Sequence, residues 1–472
     1  MITALGCQIN GRKMKETKKF VRRCFELNYD ALSEEVIDRV KYLFLDYTGV
    51  AARGSLSDSS GPVHNFILNC DKTNDGAAVV GTYMRASPPY AAIANGTAAH
   101  SLELDDVVNE ASLPPAVAIM SAALAAINIS RCSGKEFIGA IVAGYEMMIK
   151  LGVSLDPSVH YEMGFHPTGT CGTMGAAITT AKILRLNLKT MINTLGIAGS
   201  MAAGSMEFLT EGAFTKRLHP GWAAHSGLMA ALLAREDFTG PDTIIEGRYG
   251  FLHMYSTGSD PSKFLKDWGD PYEIMRTSIK PHACCRYKQG PIDCILKMMH
   301  EYNLNALDIK RVILGVLKAG FPIVTEPKES KNNPRSVVDA QFSMPFGAAV
   351  AILYGKATLD EYTMEKIGSS EVKEMMQRVS CVEDHEIEKS FPKKWPASAT
   401  LVTKNGKEYS ARIDYPKGDP KNPLTWDELI EKFRSLVSPV FPITERNHII
   451  DKIRSLEQVE DLNTFSTHLL KS

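Results

Sequence analysis

Asn95-Gly96-Thr97-Ala98-Ala99-His100-Ser101-Leu102-Glu103-Leu104-Asp105-Asp106 ends an apolar, small-residue run in a histidine and three carboxylates. Acids pressed together are costly unless something basic answers them, so the cluster either serves a polar site or ends a helix in solvent. In the first case Glu103, Asp105 and Asp106 would orient a substrate hydroxyl or hold a catalytic lysine or histidine in its working protonation state. His166 stands in Gly164-Phe165-His166-Pro167-Thr168-Gly169-Thr170, ahead of a small-residue helix expected from about residue 171. Proline suits a first helical turn and the free N–H groups there attract carboxylates, which puts His166 in position to move a proton on a bound acid. The alternative is a structural histidine. Lys216 and His219 lie in Phe214-Thr215-Lys216-Arg217-Leu218-His219-Pro220-Gly221, read as a turn leading into a helix over 222–234. A lysine there pairs with a substrate carboxylate or caps a surface loop.

The segment Ser278-Ile279-Lys280-Pro281-His282-Ala283-Cys284-Cys285-Arg286-Tyr287-Lys288-Gln289-Gly290 gathers cations, a histidine, a tyrosine and two thiols. An acyl-transfer cysteine needs a base and an oxyanion-forming signature, and no such signature accompanies His282. Anion binding by Lys280, with Arg286 or Lys288 beside it, is the better reading. Arg335 has the fork geometry for bidentate carboxylate recognition, although a surface arginine at a helix start looks the same in sequence. Phosphate-loop, dinucleotide, zinc-protease and nucleophile-elbow motifs are missing, so no cofactor or metal is implied.

The elements that must position these residues are mainly helical up to about residue 268. Ser33-Glu34-Glu35 and Ser133-Gly134-Lys135-Glu136 read as helix starts, the second as a capping box. Runs over 171–184, 195–206 and 222–234 mix apolar residues with alanine and glycine, as closely packed helices do. Near residue 270 the pattern changes. Residues 310–317 are β-rich, 398–403 and 408–414 flank the hairpin signal Asn405-Gly406, and helices are expected over 290–301 and 342–354. Helical patterning returns from 425. The expected fold is mainly α: a large helical domain over 1–272 with 419–472 packing back on it, and a smaller α+β lid over 273–418.

Lysine plus arginine total 53 against 54 acids, a formal net charge of −1, so no global field draws the chain to nucleic acid or to anionic lipid. The longest apolar run, 115–129, is too short to span a bilayer. Residues 1–19 lack the apolar core of a secretory signal, and the nine cysteines form neither a disulfide framework nor a zinc pattern. These features favour a cytoplasmic protein with reduced thiols.

Taken in order, several of these segments resemble the MmgE/PrpD superfamily, which includes 2-methylcitrate dehydratases, cis-aconitate decarboxylases and iminodisuccinate epimerases. The resemblance is carried by Leu45-Asp46-Tyr47-Thr48-Gly49-Val50, by Ala94 to His100 with Asp105-Asp106, by Gly164-Phe165-His166-Pro167-Thr168, by Thr215-Lys216-Arg217-Leu218-His219, by 280–293, and by Asp339-Ala340-Gln341-Phe342-Ser343. It implies a homodimer with a metal-free pocket between the two domains, acting on a small polycarboxylate. It also implies roles: Glu103 and Asp106 at an acidic edge, His166 in proton transfer, Lys216 and Lys280 on substrate carboxylates. Thr168, His219, Arg286 and Arg335 join the substrate-binding candidates, and Tyr287 the catalytic ones. Three positions depart from the family pattern: Pro114 and Gln289 stand where members often have histidine, and Glu103 replaces the more frequent aspartate. The expected activity is a cofactor-independent lyase, a dehydratase or a decarboxylase. An epimerase, with Lys216 or Tyr287 as second base, or a catalytically altered carboxylate binder are the alternatives.

Overall fold

The computed structural model describes residues 8–9, 12–13, 15–73, 75–391 and 393–471. Within 1–19, the segment read as lacking a signal, residues 1–7, 10–11 and 14 lie outside the described residues. The chain is mainly α and divides into two compact units. The first holds 1–101, 105–277 and 426–472; the second holds 278–425 together with the short excursion 102–104. The sequence put the changes at 272/273 and 418/419. The Gly418 carbonyl accepts the Ile279 N–H and Asp419 binds Arg286, which ties residues 418–419 into the second unit.

In the first unit Glu34–Gly54 forms α1, Pro88–Ala99 α2, Ala116–Ile129 α3, Gly134–Ser154 α4, Pro167–Ile183 α5 and Thr215–Arg235 α6. Both serine starts are as expected: Ser33 Oγ accepts the Val36 N–H, and Ser133 with Glu136 forms a reciprocal capping box. Helix α5 is buried along almost its whole length, packed by α3, α4 and α6, so its run of glycine, alanine and threonine is what close helix approach requires. By length and composition α4 is apolar enough to cross a membrane, yet 94% of that apolar window is buried inside the protein, as in a core helix. One expectation is corrected here. Lys216 and His219 do not lie in a turn; they occupy the first turns of α6, which runs through Pro220. Proline costs the hydrogen bond to the Lys216 carbonyl, and packing of the helix overrides that local preference.

The second unit is built on a four-stranded sheet. Arg286–Glu301 (α7) packs on it, and Ile309–Val316 (β1) lies between Val379–Glu383 (β2, parallel) and Ala397–Thr403 (β3, antiparallel). Glu408–Ile413 (β4) completes the sheet by pairing with β3 through the Asn405-Gly406 hairpin, with Thr400 opposite Ser410 and Gly406 at φ +83°. Met344–Tyr354 (α8) packs on α7. The chain re-enters the first unit at Trp426–Val437 (α9), where Lys432 Nζ meets the buried Asp46 carboxylate of α1 at 2.6 Å.

Candidate active site

In the helical unit three helix ends converge on a group of histidines. α2 delivers His100 at its C-terminus, and α6 delivers Lys216 and His219 from its first turns. The two helices touch backbone to backbone, since a Cβ on Gly96 would lie 2.5 Å from the Gly221 Cα. Only glycine at both positions permits that approach. The third end is the start of α5, where His166 is the N-cap at φ −95°, ψ 110° and Pro167 opens the helix, four residues before the expected start. The His166 N–H donates to the Gly204 carbonyl at 2.9 Å, and Gly204 has φ +151°, a conformation side chains rarely adopt. His160 braces the same turn. Its Nδ1 donates to the Tyr255 carbonyl at 2.7 Å, so its Nε2, 2.9 Å from Thr170 Oγ1, accepts from that hydroxyl.

His166 Nδ1 lies 3.0 Å from His219 Nδ1, and His166 Nε2 lies 3.1 Å from Thr168 Oγ1. The His100 ring stacks on His166 with centroids 5.7 Å apart, and Phe208 packs an apolar edge against both His166 and His219. His100 and His166 are each 4% exposed, whereas His219 and Lys216 are half-buried. Burial pushes the His166 pKa well below its ordinary value, and the neighbouring His100, His219 and Lys216 push it further down. His219 falls to about 4, from burial first and then from His100 and Lys216. Both imidazoles are therefore neutral at physiological pH, which is the form that accepts a proton. The structure thus brings His166, Thr168, His219 and Lys216 together.

The three acids read as one cluster go separate ways. Asp105 Oδ2 binds His100 Nδ1 at 2.8 Å. Asp106 caps α3 through the Ala116 N–H at 3.1 Å and accepts the Tyr145 hydroxyl at 2.9 Å; burial raises its pKa to about 8 despite these donors. Glu103, at φ +55°, belongs to the second unit, where the Leu102 carbonyl accepts from Gln341 Nε2 and the Glu103 charge helps raise the pKa of Cys285. Pro114 is buried in the irregular segment just ahead of α3.

In the second unit Lys280 is buried, and its charge acts on the Cys285 thiol. Arg286 is also buried, and its guanidinium binds Asp419 at 3.0 Å, so this cation already has a carboxylate partner. Tyr287 packs on Trp395, and burial raises its pKa to about 12. Arg335 is exposed, its backbone N–H held by Asp339. Gln289 donates to the carbonyls of His282 and Cys284 and accepts the His282 N–H, a set of bonds that imidazole cannot reproduce. Lys288 Nζ donates to the Ala340 and Gln341 carbonyls and to the Tyr362 hydroxyl, and burial lowers its pKa to about 8. Burial raises the Cys284 pKa to about 11, which leaves a protonated thiol rather than a nucleophile.

Two features escaped the sequence reading: the His100–Asp105 pair and the brace from His160. The spacing of five residues between His100 and Asp105 was visible, but which acid reaches the ring depends on the left-handed bend at Glu103. Among the described residues no group of three or more His, Cys, Asp or Glu is arranged to hold a metal ion.

Comparison with known proteins adds the lineage. The MmgE/PrpD N-terminal domain matches residues 15–263 and the MmgE/PrpD C-terminal domain residues 282–458. The cis-aconitate decarboxylase-like protein oryM of Aspergillus oryzae is 28% identical over 459 residues, covering 93% of this chain and 94% of the relative. Cis-aconitate decarboxylase of Mus musculus is 26% identical, covering 96% of this chain and 93% of the relative. 2-Methylcitrate dehydratase of Salmonella typhimurium is 19% identical, covering 90% and 91%. With both domains matched in order along most of its length, the chain belongs to the MmgE/PrpD family of enzymes.

Proposed function

We propose that the protein is a cofactor-independent lyase that acts on a small di- or tricarboxylate by dehydration or decarboxylation. His166 is its general base or acid and Lys216 meets a substrate carboxylate. The observation that carries this reading is the buried, neutral His166 beside the Lys216 cation. A neutral imidazole has the lone pair that general-base catalysis requires, and a nearby fixed cation stabilises the negative charge that develops on the substrate as a proton or carbon dioxide leaves. The named relatives, decarboxylases and a dehydratase, support this reaction class. In the same reading Lys280 binds a carboxylate on the family resemblance, and Arg335 does so by its fork geometry. A homodimer and independence from metal ions belong to the same reading on the resemblance, and a cytoplasmic location on the cysteine pattern and the N-terminal sequence.

The test is turnover of cis-aconitate, citrate and 2-methylcitrate, followed by product analysis and by ligand-induced rise of the melting temperature. Lys216→Ala should weaken both binding and turnover, because it removes a charge that meets the substrate before the transition state. Turnover of an uncharged substrate, with neither turnover of nor stabilisation by any polycarboxylate, would sink the proposal. Solvent deuterium appearing at a substrate carbon without any lyase product would point to the epimerase instead.

A further inference from the structure

The proposed reaction needs a proton moved on and off the substrate, yet both ring nitrogens of His166 are engaged, one by His219 and the other by Thr168. His100 is different. Its Nδ1 is held by Asp105 Oδ2 at 2.8 Å, while its Nε2 is buried and has no hydrogen-bond partner among the described residues. A carboxylate accepts only, so Nδ1 carries the shared proton, and in the neutral imidazole the lone pair on Nε2 is left open. Buried polar atoms are rarely left so, and an orphan at a cluster of acid–base groups is what a ligand-facing atom looks like before its ligand arrives. Asp105 also sets the energetics, because a carboxylate on Nδ1–H stabilises the imidazolium that forms when Nε2 takes a proton.

Resting on the lyase reading above, we infer that His100, oriented by Asp105, is a second proton-transfer residue whose Nε2 takes the proton from a substrate carbon next to a carboxylate. In that step the C–H bond breaks, its electron pair delocalises into the adjacent carboxylate, and an N–H bond forms at Nε2. Asp105 balances the imidazolium charge. In a dehydration the imidazolium then hands the same proton to the departing hydroxyl, so that water leaves and His100 returns to neutral. Asp105 touches no reacting atom in this scheme and is a positioning residue. His166 and His219 stand beside the His100 ring, with Lys216 next to those two, and none of them takes its Nε2.

The tautomer can be read directly by 15N NMR of ring-labelled histidine in the full-length protein, the His100 signal being assigned by its loss in His100→Gln. At neutral pH Nδ1 should be protonated and Nε2 unprotonated. Asp105→Asn, whose amide donates to Nδ1, should move the proton to Nε2. On a substrate the wild type converts, Asp105→Asn and His100→Gln should each lower kcat by at least about 100-fold while the substrate-induced rise in melting temperature survives. A protonated Nε2 in the wild type, or more than about a tenth of kcat retained in a folded His100→Gln protein, overturns the inference. If the wild type converts no polycarboxylate, the lyase reading fails by itself, and the wild-type tautomer, which needs no turnover, still decides the pair.

Discussion

Lowering the pH should destabilise the helical unit through its neutral histidines, and His219 lets the size be worked out. Its pKa lies at about 4 in the folded protein against an ordinary 6.5. Because the folded value is depressed, the unfolded chain takes up the proton first as pH falls. Stability from this group is intact above 6.5 and is lost progressively down to about 4. The full difference of about 2.5 units corresponds to about 3.4 kcal/mol, and to about 2 kcal/mol at pH 5. His219 is half-buried, so solvent screening reduces the loss at pH 5 to about 1 kcal/mol. His219→Gln removes the titrating group without removing the side chain. Urea midpoints by far-UV circular dichroism, at about pH 7 and about pH 5, should fall further in the wild type than in the variant by that amount. Carboxylates that titrate in the same window cancel in the comparison. An identical pH dependence in both proteins, or an NMR titration of His219 near 6.5, would refute the claim that burial, His100 and Lys216 keep His219 neutral.

His166→Gln should lower kcat by at least about 100-fold with the fold and substrate-induced stabilisation largely preserved, and full activity would remove His166 from the mechanism. Gly96→Ala forces a Cβ to 2.5 Å from the Gly221 Cα, so it should cost about 1–3 kcal/mol and displace His100. A melting temperature equal to the wild type would show that α2 and α6 are not locked by this contact. Gln289→His should lose hydrogen bonds to His282 and Cys284 and destabilise by about 1–3 kcal/mol, read from the melting temperature; an unchanged value would mean the amide is dispensable.

Much of the architecture was legible before folding. Caps at Ser33 and Ser133, the alanine- and glycine-rich runs, and the Asn405-Gly406 hairpin each act over a few residues, so local chemistry decides them. His166 at the mouth of a helix opened by proline was legible for the same reason. Partner choice was not. Whether Glu103, Asp105 or Asp106 meets His100 depends on a single left-handed residue in the connecting loop, and the acids separate because backbone direction rather than composition aims each carboxylate. Lys216 and His219 read as a turn because proline and glycine punctuate the sequence. The chain instead stays helical there, since Gly221 is pressed against Gly96 of α2, a contact across 125 residues that no local pattern encodes. The sequence thus determined which groups were available to do chemistry, and the packing of α2, α5 and α6 decided which of them meet and left His100 Nε2 without a hydrogen-bond partner among the described residues.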